Sequence, residues 1–191
     1  LAREGVTSYR ILAPDYGLTV AQELLARKGA IRGACLLNGG MFPESHRPVI
    51  TQKLLASPLG SLIARLSSYR TFARTMQRIW GETPLPDDET RAMWRLLTES
   101  DGMRVMPKLI GYISERKKYR ERWVGALTTT SVPLRFIFGL VDPISGAHMA
   151  ARYRELVPNP DVVELPTVGH YPQIEAPELV QAAALEFFAR C

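Results

Sequence analysis

Short apolar runs alternate with an amphipathic stretch at the start of the chain. The segment from Val6 to Ala13 is rich in β-forming residues and lies between a glycine and a proline, which predicts a strand. The segment from Thr19 to Lys28 repeats apolar residues at helical spacing, and Gly29 suits a C-terminal cap. Ala34 to Leu37 is a second apolar run. This order of strand, helix and strand predicts a βαβ unit with parallel strands.

The pattern changes in the middle of the chain. From Met41 to about Thr130, leucine, isoleucine, methionine and tryptophan recur at helical intervals. Prolines break this pattern into short pieces. We therefore expect a lobe of short helices inserted into an α/β framework.

The strand pattern returns after residue 131. Two further strands and two helices are predicted, at Leu134–Phe138, Gly146–Val157, Val162–Leu165 and from Pro177 to about Arg190. The predicted fold class is α/β. We expect α/β core over residues 1–40, the helical lobe over 41–130, and α/β core again over 131–191.

Composition and charge exclude several classes of protein. The chain has 191 residues, of which 46% are hydrophobic and 23% charged, as in an ordinary folded domain. No apolar run approaches the ~20 residues that span a bilayer, so no membrane segment is expected. The net charge of +5 lies mainly in the middle of the chain. The basic stretch from Glu115 to Arg122 predicts a solvated helix face. Binding of an acidic polymer is its alternative, and no nucleic-acid partner is expected.

The cysteines and the motifs of the sequence limit the disulfides, metal sites and cofactors that we expect. Cys35 and Cys191 do not make a disulfide framework, which favours reducing, cytoplasmic surroundings. The sequence lacks CxxC, HExxH and P-loop motifs, so we expect neither a metal site nor a nucleotide cofactor.

Three polar residues each follow a different predicted strand. Asp15 lies between a strand and a helix, and a sharp turn there needs small residues two positions away, as Ala13 and Gly17 are. Asp142 and His170 follow the two later strands, at the edge where α/β sheets place ligands. Each also has a structural alternative: a helix-capping aspartate, a turn-forming Asp-Pro and a structural loop histidine.

The chain resembles the α/β-hydrolase superfamily, in the branch that contains epoxide hydrolases and haloalkane dehalogenases. The order of Asp15, Asp142 and His170 is that family's order of nucleophile, acid and histidine. The resemblance covers nearly the whole chain and implies the C-terminal half of an α/β-hydrolase fold, with an inserted helical cap. It is carried by Asp15-Tyr16-Gly17, Thr19–Leu25, Leu37–Glu44, Arg122–Leu127, Asp142-Pro143 and Gly169–Gln173.

The resemblance also implies a mechanism. Asp15 attacks an electrophilic carbon of a small hydrophobic substrate and forms an alkyl-enzyme ester. His170, oriented by Asp142, then activates water, which is the co-substrate. The backbone N–H of Tyr16 supplies half of an oxyanion hole, and no cofactor takes part.

The sequence does not decide between an epoxide and a haloalkane as the substrate. Opening an epoxide needs an acid, and Tyr112 and Tyr119 in the helical lobe are the candidates, with Tyr112 first; packing is the alternative role. Dehalogenation needs a donor to the halide, commonly an indole beside the nucleophile, where this chain has Tyr16. Tryptophans of the lobe are the alternative donors to the halide, and packing within the lobe is their other expected role. They are Trp80, Trp94 and Trp123.

A non-catalytic or incomplete α/β-hydrolase-like protein is the alternative from another class. Pro14 stands where the branch usually has His, and Leu18 where a small or acidic residue is common. Family members also have about four strands before the turn at Asp15, together with a loop that supplies the second oxyanion donor. Without them, the strand at Val6–Ala13 is expected to be an open apolar edge, and the chain alone to be poorly soluble and inactive.

Overall fold

Four parallel strands form one sheet in a computed structural model that describes residues 2–191; Leu1 lies outside the described residues. Their order in the sheet is their order in the chain. The strands are β1 (Tyr9–Ala13), β2 (Ile31–Leu37), β3 (Leu134–Gly139) and β4 (Asp161–Leu165). The predicted α/β class is confirmed, and all four predicted strands are present, although β1 begins at Tyr9 rather than Val6.

Helices connect the strands and fill the segment between β2 and β3. Short 3-10 helices lie at Ala2–Glu4 and Glu99–Arg104. The α-helices are α1 (Tyr16–Ala26), α2 (Ile50–Leu55), α3 (Gly60–Leu66), α4 (Tyr69–Ile79), α5 (Asp87–Thr98), α6 (Met106–Leu109), α7 (Tyr112–Lys118), α8 (Arg120–Thr129), α9 (Ala147–Leu156), α10 (Pro172–Glu175) and α11 (Pro177–Ala189). We call residues 50–129, which hold α2 to α8, the helical insert. Whether it is a separate domain with boundaries at 41 and 130 stays a prediction.

The core lies on both faces of the sheet. On one face Phe136 and Phe138 pack against Tyr153 of α9, and on the other Leu37 and Ile137 pack against α11. The two middle strands are therefore covered on both sides, which explains why their sequences are continuous apolar runs rather than alternating ones.

Two local expectations are refined by the structure. The residue in left-handed conformation after α1 is Lys28, with φ of 53°, and not Gly29. β1 is an edge of the sheet that the structure describes, and Leu12 on it is 49% exposed.

No helix in residues 2–191 has the length and apolar character needed to cross a membrane.

The loop after β2 packs tightly against the turn between β1 and α1. The carbonyl of Asn38 accepts a hydrogen bond from the Asp15 N–H at 2.9 Å. A Cβ atom on Gly39 would lie 2.7 Å from the Asp15 carbonyl oxygen, closer than such atoms approach, so the loop needs glycine there. A Cβ on Gly17 would make only ordinary contacts, at 3.7 and 3.8 Å. Glycine itself is therefore not required at position 17, and the need for a small residue there stays a prediction.

We expect Gly39→Ala to lower the free energy of unfolding by about 1–3 kcal/mol, because the methyl group overpacks this contact. Gly17→Ala is the matched control and should be neutral, or stabilising by about 0.5–1 kcal/mol, since alanine is the better helix former. Urea unfolding followed by circular dichroism measures both changes. Equal destabilisation by the two substitutions would contradict this account of the turn.

Candidate active site

Asp15 occupies a strained turn between β1 and α1. Its backbone has φ of 45° and ψ of −112°, a combination that is rare for a residue with a side chain. Two backbone hydrogen bonds hold the turn: Gly17 N–H donates to the Pro14 carbonyl at 2.8 Å, and Asp15 N–H donates to the Asn38 carbonyl. The side chain of Asp15 makes no capping bond to α1 and is 38% exposed. The helix-capping alternative for this residue is therefore wrong.

The ring of His170 lies between two carboxylates. Its Nδ1 is 2.8 Å from Oδ2 of Asp142, and its Nε2 is 3.6 Å from Oδ1 of Asp15. The ring is buried, and the backbone N–H of His170 donates to the Ile79 carbonyl at 2.8 Å. The three residues that follow three separate strands in the sequence therefore converge on one point.

Hydrogen-bond donors surround the buried carboxylate of Asp142. Its Oδ2 accepts from Asn38 Nδ2 at 3.0 Å and from Ser145 Oγ at 2.6 Å. The N–H groups of Ile144 and Ser145 donate to its two oxygens at 2.8 and 3.1 Å. Burial alone would raise the pKa of Asp142, but the charge of His170 and these hydrogen bonds hold it below its usual range. The carboxylate is therefore ionised and fixed in direction.

The two carboxylates determine the charge of the histidine. Burial would lower the pKa of His170, but the negative charges and hydrogen bonds of Asp142 and Asp15 outweigh it and raise this pKa to about 10. Burial would likewise raise the pKa of Asp15, and His170 and Arg116 lower it. At neutral pH the resting site thus holds a protonated imidazole between two carboxylates.

A glutamate fixes the loop that carries His170. One carboxylate oxygen of Glu175 accepts from the N–H groups of Gly81 and Gly169 at 2.7 and 2.8 Å, and the other accepts from the Tyr171 N–H at 3.0 Å. Gly81 belongs to the helical insert and Gly169 to the loop after β4. Glu175 therefore couples the insert to the position of the imidazole.

Asp15 and His170 line an apolar cavity of about 320 Å³ between the sheet and the helical insert. The rings of Tyr16 and Tyr112 meet there with centroids 5.0 Å apart. Burial raises the pKa of Tyr112 to about 12, so its hydroxyl is protonated and able to donate. Aliphatic, aromatic and methionine side chains form most of the remaining wall, including Leu55, Phe72, Met76, Ile79, Trp94, Leu97, Met103, Met106, Ile144 and Tyr171.

A buried arginine stands behind this wall. Arg116 is 2% exposed, its Nε donates to Thr19 Oγ1 at 2.7 Å, and its guanidinium lies 4.4 Å from the Tyr112 ring centroid. Both of its Nη atoms are buried without a hydrogen-bond partner in the described part of the chain. Burial and this nearby cation lower the pKa of His46 to about 4. A positive charge is thus held close to Asp15 in apolar surroundings.

The structure brings some of the predicted residues together and leaves others apart. Tyr16 and Tyr112 line the cavity, whereas Tyr119 does not; its ring packs on Trp123, with centroids 5.3 Å apart. Of the three tryptophans, Trp94 lines the cavity, and the indole of Trp123 donates to Glu23 at 2.8 Å.

The basic stretch from Glu115 to Arg122 is not a uniformly solvated face. Arg116 points inward, and Arg120 and Arg122 pair with Glu44 and Glu23 at 2.7 and 2.8 Å. These ion pairs occupy two of the charges of the stretch, whereas Lys117 and Lys118 are exposed and form no ion pair within residues 2–191.

Sequence reasoning missed the residues that support the site. Asn38 is far along the chain from Asp142, and Glu175 is far from Gly81, whereas Ser145 is close to Asp142 in a turn; no local motif marks any of the three. Tyr171 lines the cavity directly beside His170, and its position next to a candidate histidine was the available signal. Residues 2–191 contain no group of three or more potential ligands that could hold a metal ion.

Comparison with curated proteins finds clear relatives, although no family model matches the chain. The chain is 44% identical over 184 residues to the putative hydrolase LipZ of Mycobacterium tuberculosis, covering 92% of this chain and 63% of LipZ. It is 41% identical over 187 residues to the mesoderm-specific transcript homolog protein of Bos taurus, covering 91% and 56%. The chain thus spans between about half and two thirds of the length of these relatives.

Solved structures share the fold. An α/β-hydrolase fold protein from Burkholderia ambifaria is similar with a TM-score of 0.78 and 21% identity, over 97% of this chain and 68% of that one. A loop variant of the haloalkane dehalogenase DbeA from Bradyrhizobium elkanii is similar with a TM-score of 0.75 and 19% identity, over 98% and 69%. The sheet, its connecting helices and these solved structures agree, and the chain has the α/β-hydrolase fold.

Proposed function

We propose that this chain carries the reaction centre of a hydrolase that uses the Asp15 carboxylate as its nucleophile and acts on small hydrophobic epoxides. The observation that carries the proposal is the arrangement of Asp15, His170 and Asp142 at the mouth of an apolar cavity. The strained turn presents the Asp15 carboxylate to the cavity, and no capping bond occupies it.

In the first step, an oxygen of Asp15 attacks an epoxide carbon, and the carbon–oxygen bond of the ring breaks. The new ester removes the negative charge of Asp15. The released alkoxide takes a proton from Tyr112, which lines the same cavity, and the protonated His170 supplies the proton that Tyr112 has lost. The apolar wall favours this charge-neutralising step because it solvates separated charges poorly.

In the second step, His170 acts as a base. Once Asp15 is esterified, only Asp142 holds the pKa of His170 up, so the ring gives up its proton more readily. The neutral Nε2 takes a proton from water as that water attacks the ester carbonyl. The diol leaves, Asp15 regains its charge, and His170 regains its proton. Overall, one water molecule is consumed for each epoxide.

The developing negative charge on the ester carbonyl needs donors. The N–H of Tyr16 begins α1 and has no hydrogen-bond partner among residues 2–191, so it is free to donate there. Its place at the first turn of the helix adds the favourable field of the helix dipole.

Dehalogenation is the second candidate, and Trp94 in the cavity wall is the observation in its favour. It would use the same attack by Asp15, with a halide in place of the epoxide oxygen. Release of halide from a haloalkane, without hydrolysis of epoxides, would select it.

We expect His170→Gln, in the full-length protein, to form the ester and fail to release it. Intact-mass and peptide spectrometry should then find one epoxide equivalent on Asp15. His170→Gln combined with Asp15→Ala should show no adduct. An adduct elsewhere, or one that survives Asp15→Ala, would exclude Asp15 as the nucleophile.

We expect Tyr112→Phe to lower kcat/KM for an epoxide by about 100-fold, because the ring remains but the acid is lost. Tyr119→Phe removes the same hydroxyl from a tyrosine outside the cavity wall and should retain full activity. Equal rates for Tyr112→Phe and the unsubstituted protein would remove Tyr112 from the mechanism.

The rate of ester formation should fall as the pH rises through about 10, where His170 loses the proton that the alkoxide needs. Asp142→Asn removes a negative charge that raises the pKa of His170, so the fall should begin at lower pH. Single-turnover kinetics measures both profiles, and Glu164→Gln on the surface of β4 is the control. A rate that increases through this range would show that protonated His170 is not needed.

A further inference from the structure

The outer side of the helical insert carries a patch of exposed leucines. The patch lies on three helices, of which α3 contacts both α2 and α6. Leu59, Leu62 and Leu66 are spaced so that they share one face of α3, and they are 63%, 54% and 74% exposed. We call this surface the leucine patch; it consists of Leu54, Leu59, Leu62, Leu66 and Leu109.

Basic residues are frequent in the segment that carries four of the five patch leucines, while the 3-10 helix that contacts α3 and α6 adds the acidic Glu99 and Asp101. Residues 45–81 contain six basic residues and no acidic one. All six are exposed, and none forms an ion pair within the part of the chain that the structure describes. They are Arg47, Lys53, Arg65, Arg70, Arg74 and Arg78. Lys108 adds a further cation beside Leu109 on α6.

The composition of this surface favours lipid over protein. Protein interfaces concentrate their binding energy in tryptophan, tyrosine and arginine, and leucine is under-represented among such residues. Short amphipathic helices with leucine on one side and lysine or arginine around it are typical of surfaces that lie in the headgroup region of a bilayer. Basic residues there are attracted to anionic lipids.

The helices that carry this surface also border the cavity. Gln52 and Leu55 of α2 line the cavity, while Leu54 on the same helix is exposed. Leu109 of α6 lines the cavity and is also 51% exposed, so the patch and the cavity wall meet there. A surface resting on lipid would therefore place the cavity wall next to a hydrophobic phase.

We propose that the leucine patch, together with Lys53, Arg65 and Lys108 on its helices, docks on an anionic membrane surface. The leucines enter the boundary between headgroups and acyl chains, and the lysine and arginine side chains pair with the negative headgroups. This binding is peripheral and does not depend on the hydrolase chemistry.

Co-sedimentation of the full-length protein with vesicles tests the proposal. The vesicles are phosphatidylcholine alone, or phosphatidylcholine with about 30 mol% phosphatidylserine. We expect binding to the anionic vesicles, and at least a tenfold loss for the triple substitution Leu59→Ser, Leu62→Ser and Leu66→Ser, on the order of what removal of an inserted apolar face costs. Leu179→Ser with Leu185→Ser, at leucines of α11 that are 58% and 60% exposed, is the matched control and should bind as the unsubstituted protein does.

The double substitution Lys53→Glu and Arg65→Glu is a second, independent test. It leaves the leucines in place and should weaken binding to the anionic vesicles by at least about tenfold, since anionic lipids attract basic residues near their surface. Circular dichroism checks that each variant is folded. The proposal is overturned if the protein ignores anionic vesicles, if it binds neutral ones equally, or if the patch variants bind no worse than the α11 control.

Discussion

The side chain of Asn38 links the parts of the site to the sheet. Its amide accepts from the Gly139 N–H at 2.7 Å and donates to the Gly139 carbonyl at 2.9 Å, which locks the end of β2 to the end of β3. The same amide nitrogen donates to Asp142, and its backbone carbonyl holds Asp15. Because Asn38 is fully buried, losing any of these bonds would leave a polar group without water. The distance between Asp15 and Asp142 is therefore fixed by one residue that touches neither substrate nor His170.

The charges at the site are held in surroundings that solvate them poorly. Asp142, His170 and Arg116 are buried, and the cavity beside them is mostly apolar. Such charges persist only when they are paired with one another or satisfied by hydrogen bonds, and here each carboxylate faces the imidazole. Changing the charge of Asp15 therefore changes the proton affinity of His170, since the imidazole is buried and lies 3.6 Å from that carboxylate. This coupling supports the two roles that we propose for His170 in a two-step hydrolysis.

The helical insert has two different faces, and the sequence pattern alone does not separate them. Leucine recurs at helical intervals throughout the insert, yet Leu55 lines the cavity while Leu62 and Leu66 are exposed. Tyr112 and Tyr119 lie at the two ends of α7, but only Tyr112 reaches the cavity. Short helices have no fixed partner in the sequence, and their packing determines which face is covered.

The sequence by itself determined the βαβ order, the parallel sheet and the three residues at strand ends, because hydrophobic periodicity and turn residues are local signals. The positions of Asp15 and His170 followed from them, since the ends of parallel strands meet at one edge of a sheet. Only the tertiary structure decided that Arg116, within a basic run, is buried, and that Glu175 and Asn38 hold the loops. Their partners are far away along the chain, and a contact of that kind depends on how helices and loops pack after the sheet has formed, which residue spacing does not encode.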